Sequence, residues 1–292
     1  MPTSRSVTRG SVRLAVREWG SADSGLPTVV LVHGYPDSSR VWDAVAGQLA
    51  DAHHVVAYDV RGAGESSTPP RIRDYRMLEL VADLAAVMDA CAPGRRVHLV
   101  GHDWGSIQSW ESVCTAPMNR RILSYTSISG PCLDHVGYWL RDHLKPGFKA
   151  GQLLRQLGRS WYIVMFQLPW LAPAAWRAML GRRWTTVLKR FEGVEAEASP
   201  TQVDDGRNGV NLYRANVLPR LLRPEPRKAL APVQLLIPMR DRFVSPELYE
   251  GLSRWVPTLR RRAIDAGHWL LLSHPEAVAR CIAEWVAEHR AA

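Results

Sequence analysis

The chain has 292 residues, a formal net charge of +9, 46% hydrophobic residues and 22% charged residues. That composition excludes a disordered or fibrous protein, and a chain of this length buries a sizeable core as one large α/β domain or a domain with an insertion. No apolar run approaches the roughly 20 residues needed to cross a bilayer and the N-terminus lacks the apolar stretch of a secretory signal, so there is no integral membrane segment and a cytoplasmic protein is expected. Cys91, Cys114, Cys132 and Cys281 have neither zinc-type nor CxxC spacing, so no metal and no disulfide framework is expected. The positive charge comes almost wholly from arginine. The clusters at Arg220 to Arg227 and Arg254 to Arg262 carry no nucleic-acid motif and read as a solvated basic surface, with no nucleic-acid partner.

In chain order, Val12–Trp19 alternates like an edge strand, while residues 28–33, 55–58 and 97–101 read as buried strands. Residues 77–90 place apolar side chains at helical spacing and stop near Pro93-Gly94. Residues 131–218 differ in texture: they hold Trp139, Trp161, Trp170, Trp176 and Trp184 among helical patterns, and predict a helical cap with most of these indoles in its core. Strand and helix signals resume with residues 233–237, a strand leading to Ile264, and a closing amphipathic helix over 275–289. The alternation predicts a mostly parallel central sheet flanked by helices, with residues 1–130 and 219–292 as the core and ligands beyond the carboxyl ends of the strands.

The strongest chemical signal is Gly101-His102-Asp103-Trp104-Gly105, between the strand VHLV and a helical stretch. Gly101 and Gly105 permit a sharp strand-to-helix turn that lifts the central side chain above the sheet, where helix N–H groups favour negative charge. The central residue is aspartate. A carboxylate attacking an electrophilic carbon gives an alkyl ester, which disfavours the acyl chemistry of a serine. The plain alternative is an aspartate that only caps the helix.

His33-Gly34-Tyr35-Pro36 follows the strand TVVLVH; its turn can bring the Tyr35 N–H to join that of Trp104 in an oxyanion hole, and a cis Tyr35–Pro36 bond fits there. A base and its orienter are sought downstream: His268 in Ala266-Gly267-His268-Trp269, oriented by Asp241 in preference to the nearer Asp265.

Together these residues resemble the α/β-hydrolase superfamily across nearly the whole chain, and within it the branch of epoxide hydrolases and haloalkane dehalogenases. The segment from Asp59 to Ser66 resembles a structural loop of that superfamily. In the cap, Tyr162 followed by Phe166-Gln167-Leu168-Pro169, and Asn211-Leu212-Tyr213-Arg214, resemble the two tyrosine segments of epoxide hydrolases. The resemblance implies that Asp103 opens an epoxide while Tyr162 and Tyr213 stabilise its oxygen, and that His268 activates water against the ester to release a vicinal diol. The substrate implied is a small apolar epoxide. Haloalkane dehalogenation, biosynthetic epoxide opening without water and a non-catalytic ligand-binding homologue remain as alternatives. Tyr35 stands where many haloalkane dehalogenases carry a halide-binding asparagine. Arg207 and Asn208, close before Tyr213, either touch substrate or end a loop, and the loop is the expectation. The chain is also similar to the hydrolase half of bacterial proteins with a short-chain dehydrogenase fused behind it, yet it lacks a GxGxxG fingerprint, so no cofactor is expected. A homodimer is left open.

Overall fold

The computed structural model describes residues 1–145 and 150–290. Its sheet comprises β1 (Thr3–Arg9), β2 (Val12–Trp19), β3 (Thr28–Val32), β4 (His54–Tyr58), β5 (Val97–His102), β6 (Ile122–Ile128), β7 (Val233–Pro238) and β8 (Leu259–Ile264), in the order β1-β2-β4-β3-β5-β6-β7-β8. Only β1 with β2 and β2 with β4 pair antiparallel; every other neighbouring pair is parallel. The expected edge strand Val12–Trp19 therefore lies one place inside the edge, because Thr3–Arg9 folds back on it as a hairpin. Strand β6, ILSYTSI, shows no continuous apolar run, yet it is almost wholly buried. Its polar side chains are satisfied internally, with Ser124 bonded to His98 at 2.8 Å and Ser127 to Ser106 at 2.8 Å.

Continuous apolar strands such as β3 (TVVLV) suit a sheet covered on both faces. Alternate residues of β3 serve opposite layers: Val30 and Val32 pack with α2 (Met77–Cys91), Val29 and Leu31 with α1 (Asp43–Leu49) and the closing helix Pro275–Glu288. The hydrophobic effect on both faces thus fixes the register of the central strands and with it the height at which each strand ends.

Between β6 and β7 runs the helical stretch expected of a cap. It contains α3-following helices α4 (Leu133–His143), α5 (Ala150–Arg159), α6 (Trp161–Gln167), α7 (Leu171–Ala175), α8 (Trp184–Glu192) and α9 (Gln202–Leu222), where α3 is Trp104–Cys114 in the core. Of its five tryptophans, Trp139 and Trp176 are buried and Trp184 is partly so, as expected of most of them, whereas Trp161 and Trp170 are exposed. Arg207 and Asn208 end no loop: both lie inside α9, which continues through residue 218 to Leu222. Buried Asn208 donates to Gly62 O, and Asn216 accepts the Met77 N–H at 2.9 Å and donates to Tyr75 O at 2.8 Å. The arginines at 220 and 227 also depart from a solvated surface. They are largely buried and paired with Glu111 and Asp134, which removes them from any free basic face.

Asp205, near the start of α9, accepts the Gly64 N–H at 2.8 Å and the Thr201 hydroxyl at 2.7 Å. Burial pushes its carboxyl up to about 7, against the smaller opposing effect of those two bonds. Its folded value lies above its unfolded one, so the folded chain holds this proton longer, and stability falls as pH rises through the window between about 4 and 7. Asp205→Asn is expected to flatten that decline, measured as urea-unfolding free energy at pH 5 and pH 8. An unchanged slope would show that Asp205 does not hold the proton.

Candidate active site

The turn from β5 into α3 is where the sequence is under the tightest steric demand. Asp103 has φ of 50°, unusual for a residue with a side chain. The strain is held by two backbone bonds, Asp103 N–H to Ile128 O and Ile107 N–H to Asp103 O, both 2.9 Å. A Cβ on Gly105 would lie 2.0 Å from Val32 O, and one on Gly34 would lie 2.5 Å from the Asp103 side chain. Only glycine lets β3, its following turn and α3 come this close.

The Asp103 carboxylate sits between two partners. The Tyr35 N–H donates to Oδ1 at 2.7 Å, and Oδ2 lies 3.6 Å from His268 Nε2. Trp104 is the first residue of α3, so its N–H has no intrahelical acceptor. The Tyr35–Pro36 bond is cis. Val60 N–H donates to His33 Nε2 at 2.9 Å, so Nδ1 carries the proton and donates to Gly34 O at 2.9 Å. That neutral ring, kept neutral by burial, braces the turn.

His268 follows β8 and Asp241 follows β7. The His268 Nδ1–H donates to Asp241 Oδ2 at 2.9 Å, while Asp241 Oδ1 accepts the N–H groups of Phe243 and Val244 at 2.8 and 3.0 Å. Asp265, the rival orienter, is exposed and paired with Arg240 at 2.9 Å. Burial by itself lowers the His268 basicity, but Asp241 and Asp103 together outweigh it and hold the imidazole well above its usual range. Burial likewise works against ionised Asp241, and the facing imidazolium and the hydrogen bonds overcome it and keep this carboxyl below its ordinary value. His102, its ring tilted against that of His268 at 4.9 Å and bonded to its carbonyl, is pushed down to about 4 by burial and by the His268 charge.

The helices between β6 and β7 bring Tyr162 from α6 and Tyr213 from α9 to this group. The Tyr213 ring packs 4.8 Å from Trp104, 4.8 Å from Phe166 and 5.3 Å from Tyr35, and the Tyr162 ring lies 6.0 Å from it. Burial first, and the Asp103 carboxylate among the next causes, raise both phenols above their ordinary value, so both are protonated donors at neutral pH.

Three neighbours escaped the sequence reading. Asp37 accepts the Trp269 indole N–H at 2.9 Å and is pushed up to about 7 by burial, with Asp103 adding to the effect. Its position directly after His33-Gly34-Tyr35-Pro36 was the available signal. Glu192, at the end of α8, accepts the Trp269 N–H at 3.3 Å and crowds Gly267, where a Cβ would lie 2.0 Å from its Oε2. Gln156 of α5 donates to Phe243 O at 3.0 Å and accepts the Ser245 N–H at 3.1 Å, clamping the Asp241 loop. Neither cap residue stands in a motif.

Among the described residues no group of three or more His, Cys, Asp or Glu is placed to hold a metal ion, and no helix is long and apolar enough to cross a membrane.

A strained strand-to-helix turn, a second turn donating to its carboxylate and a histidine–aspartate pair following the last two strands meet at the end of a mostly parallel sheet. The family described as alpha/beta hydrolase fold matches residues 27–275, and the chain belongs to it. A Mycobacterium tuberculosis protein named probable oxidoreductase EphD is 35% identical over 298 residues, covering 97% of this chain and 50% of its own length. Epoxide hydrolase A of the same organism is 36% identical over 179 residues, covering 59% of this chain and 50% of its own. The alignments thus take in about half the length of each relative. The crystal structure of a Bacillus megaterium epoxide hydrolase with an inhibitor superposes with a TM-score of 0.80 at 20% identity, over 97% of this chain and 100% of that one, a likeness that speaks for the fold.

Gly105→Ala is expected to cost about 3 kcal/mol, because the clash is with backbone and not with a flexible side chain. For a domain of this size that corresponds to a Tm lower by about 6–12 °C in a thermal melt. An unchanged melt would mean that the turn opens without strain.

Proposed function

We propose that the protein is an epoxide hydrolase that opens a small apolar epoxide to a vicinal diol through an ester on Asp103. The observation that carries this reading is the Asp103 carboxylate with one oxygen on the Tyr35 N–H and the other facing His268, beneath two protonated cap tyrosines. The names of two relatives, Epoxide hydrolase A and Bifunctional epoxide hydrolase 2, support the same substrate class. The word oxidoreductase belongs to a relative of which the match covers 50%.

In the resting site His268 carries a proton, held there by two carboxylates. Asp103 Oδ2 attacks one ring carbon, the C–O bond of the epoxide breaks, and Tyr162 and Tyr213 donate to the oxygen as charge builds on it. Esterification removes the negative charge of Asp103. His268 then keeps only Asp241 as an anionic partner, its affinity for the extra proton drops, and that proton ends on the new alkoxide. Neutral His268 next takes a proton from water, whose oxygen bonds to the Asp103 carbonyl carbon. The resulting oxyanion on Oδ1 is held by the N–H groups of Tyr35 and Trp104. Collapse breaks the ester, the diol oxygen leaves with a proton from His268, and the proton of the restored Asp103 carboxyl returns to the histidine.

His268→Gln mixed with aryl and alkyl epoxides is expected to accumulate an adduct of the whole epoxide mass on the Asp103 peptide, read by intact mass and peptide mapping. An adduct from haloalkanes that has lost hydrogen halide would assign dehalogenation instead, and a folded variant that no reagent labels would remove Asp103 as nucleophile. Tyr162→Phe and Tyr213→Phe are each expected to lower kcat for epoxide turnover roughly a hundredfold, the usual loss of one transition-state donor. Turnover unaffected by both substitutions would separate the tyrosines from the reaction.

A further inference from the structure

The cap carries a surface that this chemistry does not use. Residues 150–191 contain seven Arg or Lys and no Asp or Glu, so this stretch has a net +7 of the chain's +9. Along its first half Leu154, Leu157, Trp161, Val164, Leu168 and Leu171 recur at intervals of three and four and are 48% to 71% exposed, with Trp170 beside them at 81%. The Ser160 N–H donates to Gln156 O at 2.9 Å, which carries the helical phase from α5 into α6 and makes Leu154, Leu157, Trp161 and Val164 one stripe; the extended Leu168 ends it, and Leu168, Trp170 and Leu171 are further exposed apolar side chains that follow in the chain. The opposite face of the same two helices is already engaged inward through buried Gln156 and Phe166. One buried face satisfies a globular helix, and a second, contiguous and aromatic, marks an interaction surface.

Charge decides what covers it. Arg155 and Lys189 are paired with Glu247 and Glu195, and a second copy of the chain would set the cations that remain on this stretch against themselves. An anionic lipid surface complements it, and the remaining chemistry agrees: exposed tryptophans favour the headgroup level, leucine and valine the acyl boundary, and arginine stems lie along apolar surface with their heads in water. Arg182, Arg183 and Arg190 form no ion pair among the described residues. We propose that α5, α6 and α7 dock the protein on the surface of an anionic bilayer, with Trp161 and Trp170 set among the headgroups. No helix needs to cross. The binding is independent of the chemistry assigned to Asp103.

Flotation of the whole chain with phosphatidylcholine vesicles containing about one third phosphatidylglycerol tests this. Partitioning is expected to exceed that onto pure phosphatidylcholine at least about tenfold and to weaken at high salt. Leu154→Ser with Trp170→Ser is expected to lower it about tenfold or more with an unchanged circular dichroism spectrum. Arg182→Ser with Arg183→Ser is expected to do the same from the electrostatic side. Wild-type protein that stays with the soluble fraction, or an apolar double variant that floats equally well, overturns the proposal. So does a wild-type dimer in sedimentation that Leu154→Ser with Trp170→Ser dissociates, since that outcome assigns the stripe to a second copy.

Discussion

The close approach of three backbone segments around Asp103 is the constraint on which the rest of the site depends. The side chain can stand above the sheet only because its backbone takes φ of 50°, and that conformation persists only while β3, β6 and α3 hold it. The contact of Gly105 with Val32 O sets how far α3 can approach β3. The same spacing puts the Tyr35 N–H 2.7 Å from Oδ1, so the turn that relieves the crowding also supplies a donor. Strain of this kind is affordable to a fold whose central strands are buried on both faces, because their register cannot slip without moving every apolar side chain to the wrong layer.

Electrostatics at the site follows from the same burial. Two carboxylates and one imidazole share a dry space, and the imidazole between them becomes a better base than it is in water. His102 and His33 show the opposite result of the same low polarity: with no adjacent carboxylate in contact, burial keeps them neutral and they act as struts. The charge state of each histidine is therefore set by what its second nitrogen touches. A step that neutralises Asp103 weakens His268 as a proton holder at the moment when a free lone pair on Nε2 becomes useful.

Much of this was legible in the residues. Gly101 to Gly105 marked the elbow because only small residues fit its flanks, and His268 and Asp241 stood out because each follows a strand late in the chain, where the fold carries such partners. What escaped has physical causes. β6 hides its strand character behind serine and threonine side chains that find partners on other elements. Arg220 and Arg227 look like surface charge until Glu111 and Asp134 come into contact with them. The same holds for Asn208, whose turn-like residue type is overridden by a helix that needs its amide to reach Gly62 O. Local sequence carries local propensity, and each of these depends on a partner more than sixty residues away or on another element.

The cap couples the outer surface to the reacting group through short mechanical links. Gln156 lies on the inner face of α5, within one turn of exposed Leu154 and Leu157, and clamps the loop that carries Asp241. Tyr162 follows exposed Trp161 directly in α6, and Arg214 of α9 ties the end of that helix through Phe166 O at 2.7 Å. Glu192 rests on the loop that carries His268. The outside of α5 and α6 is therefore linked to the Asp241 loop and to Tyr162 without passing through the sheet. Because packed elements shift between discrete arrangements more readily than they deform, an occupied outer surface of α5 and α6 would act on the position of Tyr162 and Asp241 before it acted on Asp103, which the turn from β5 into α3 holds.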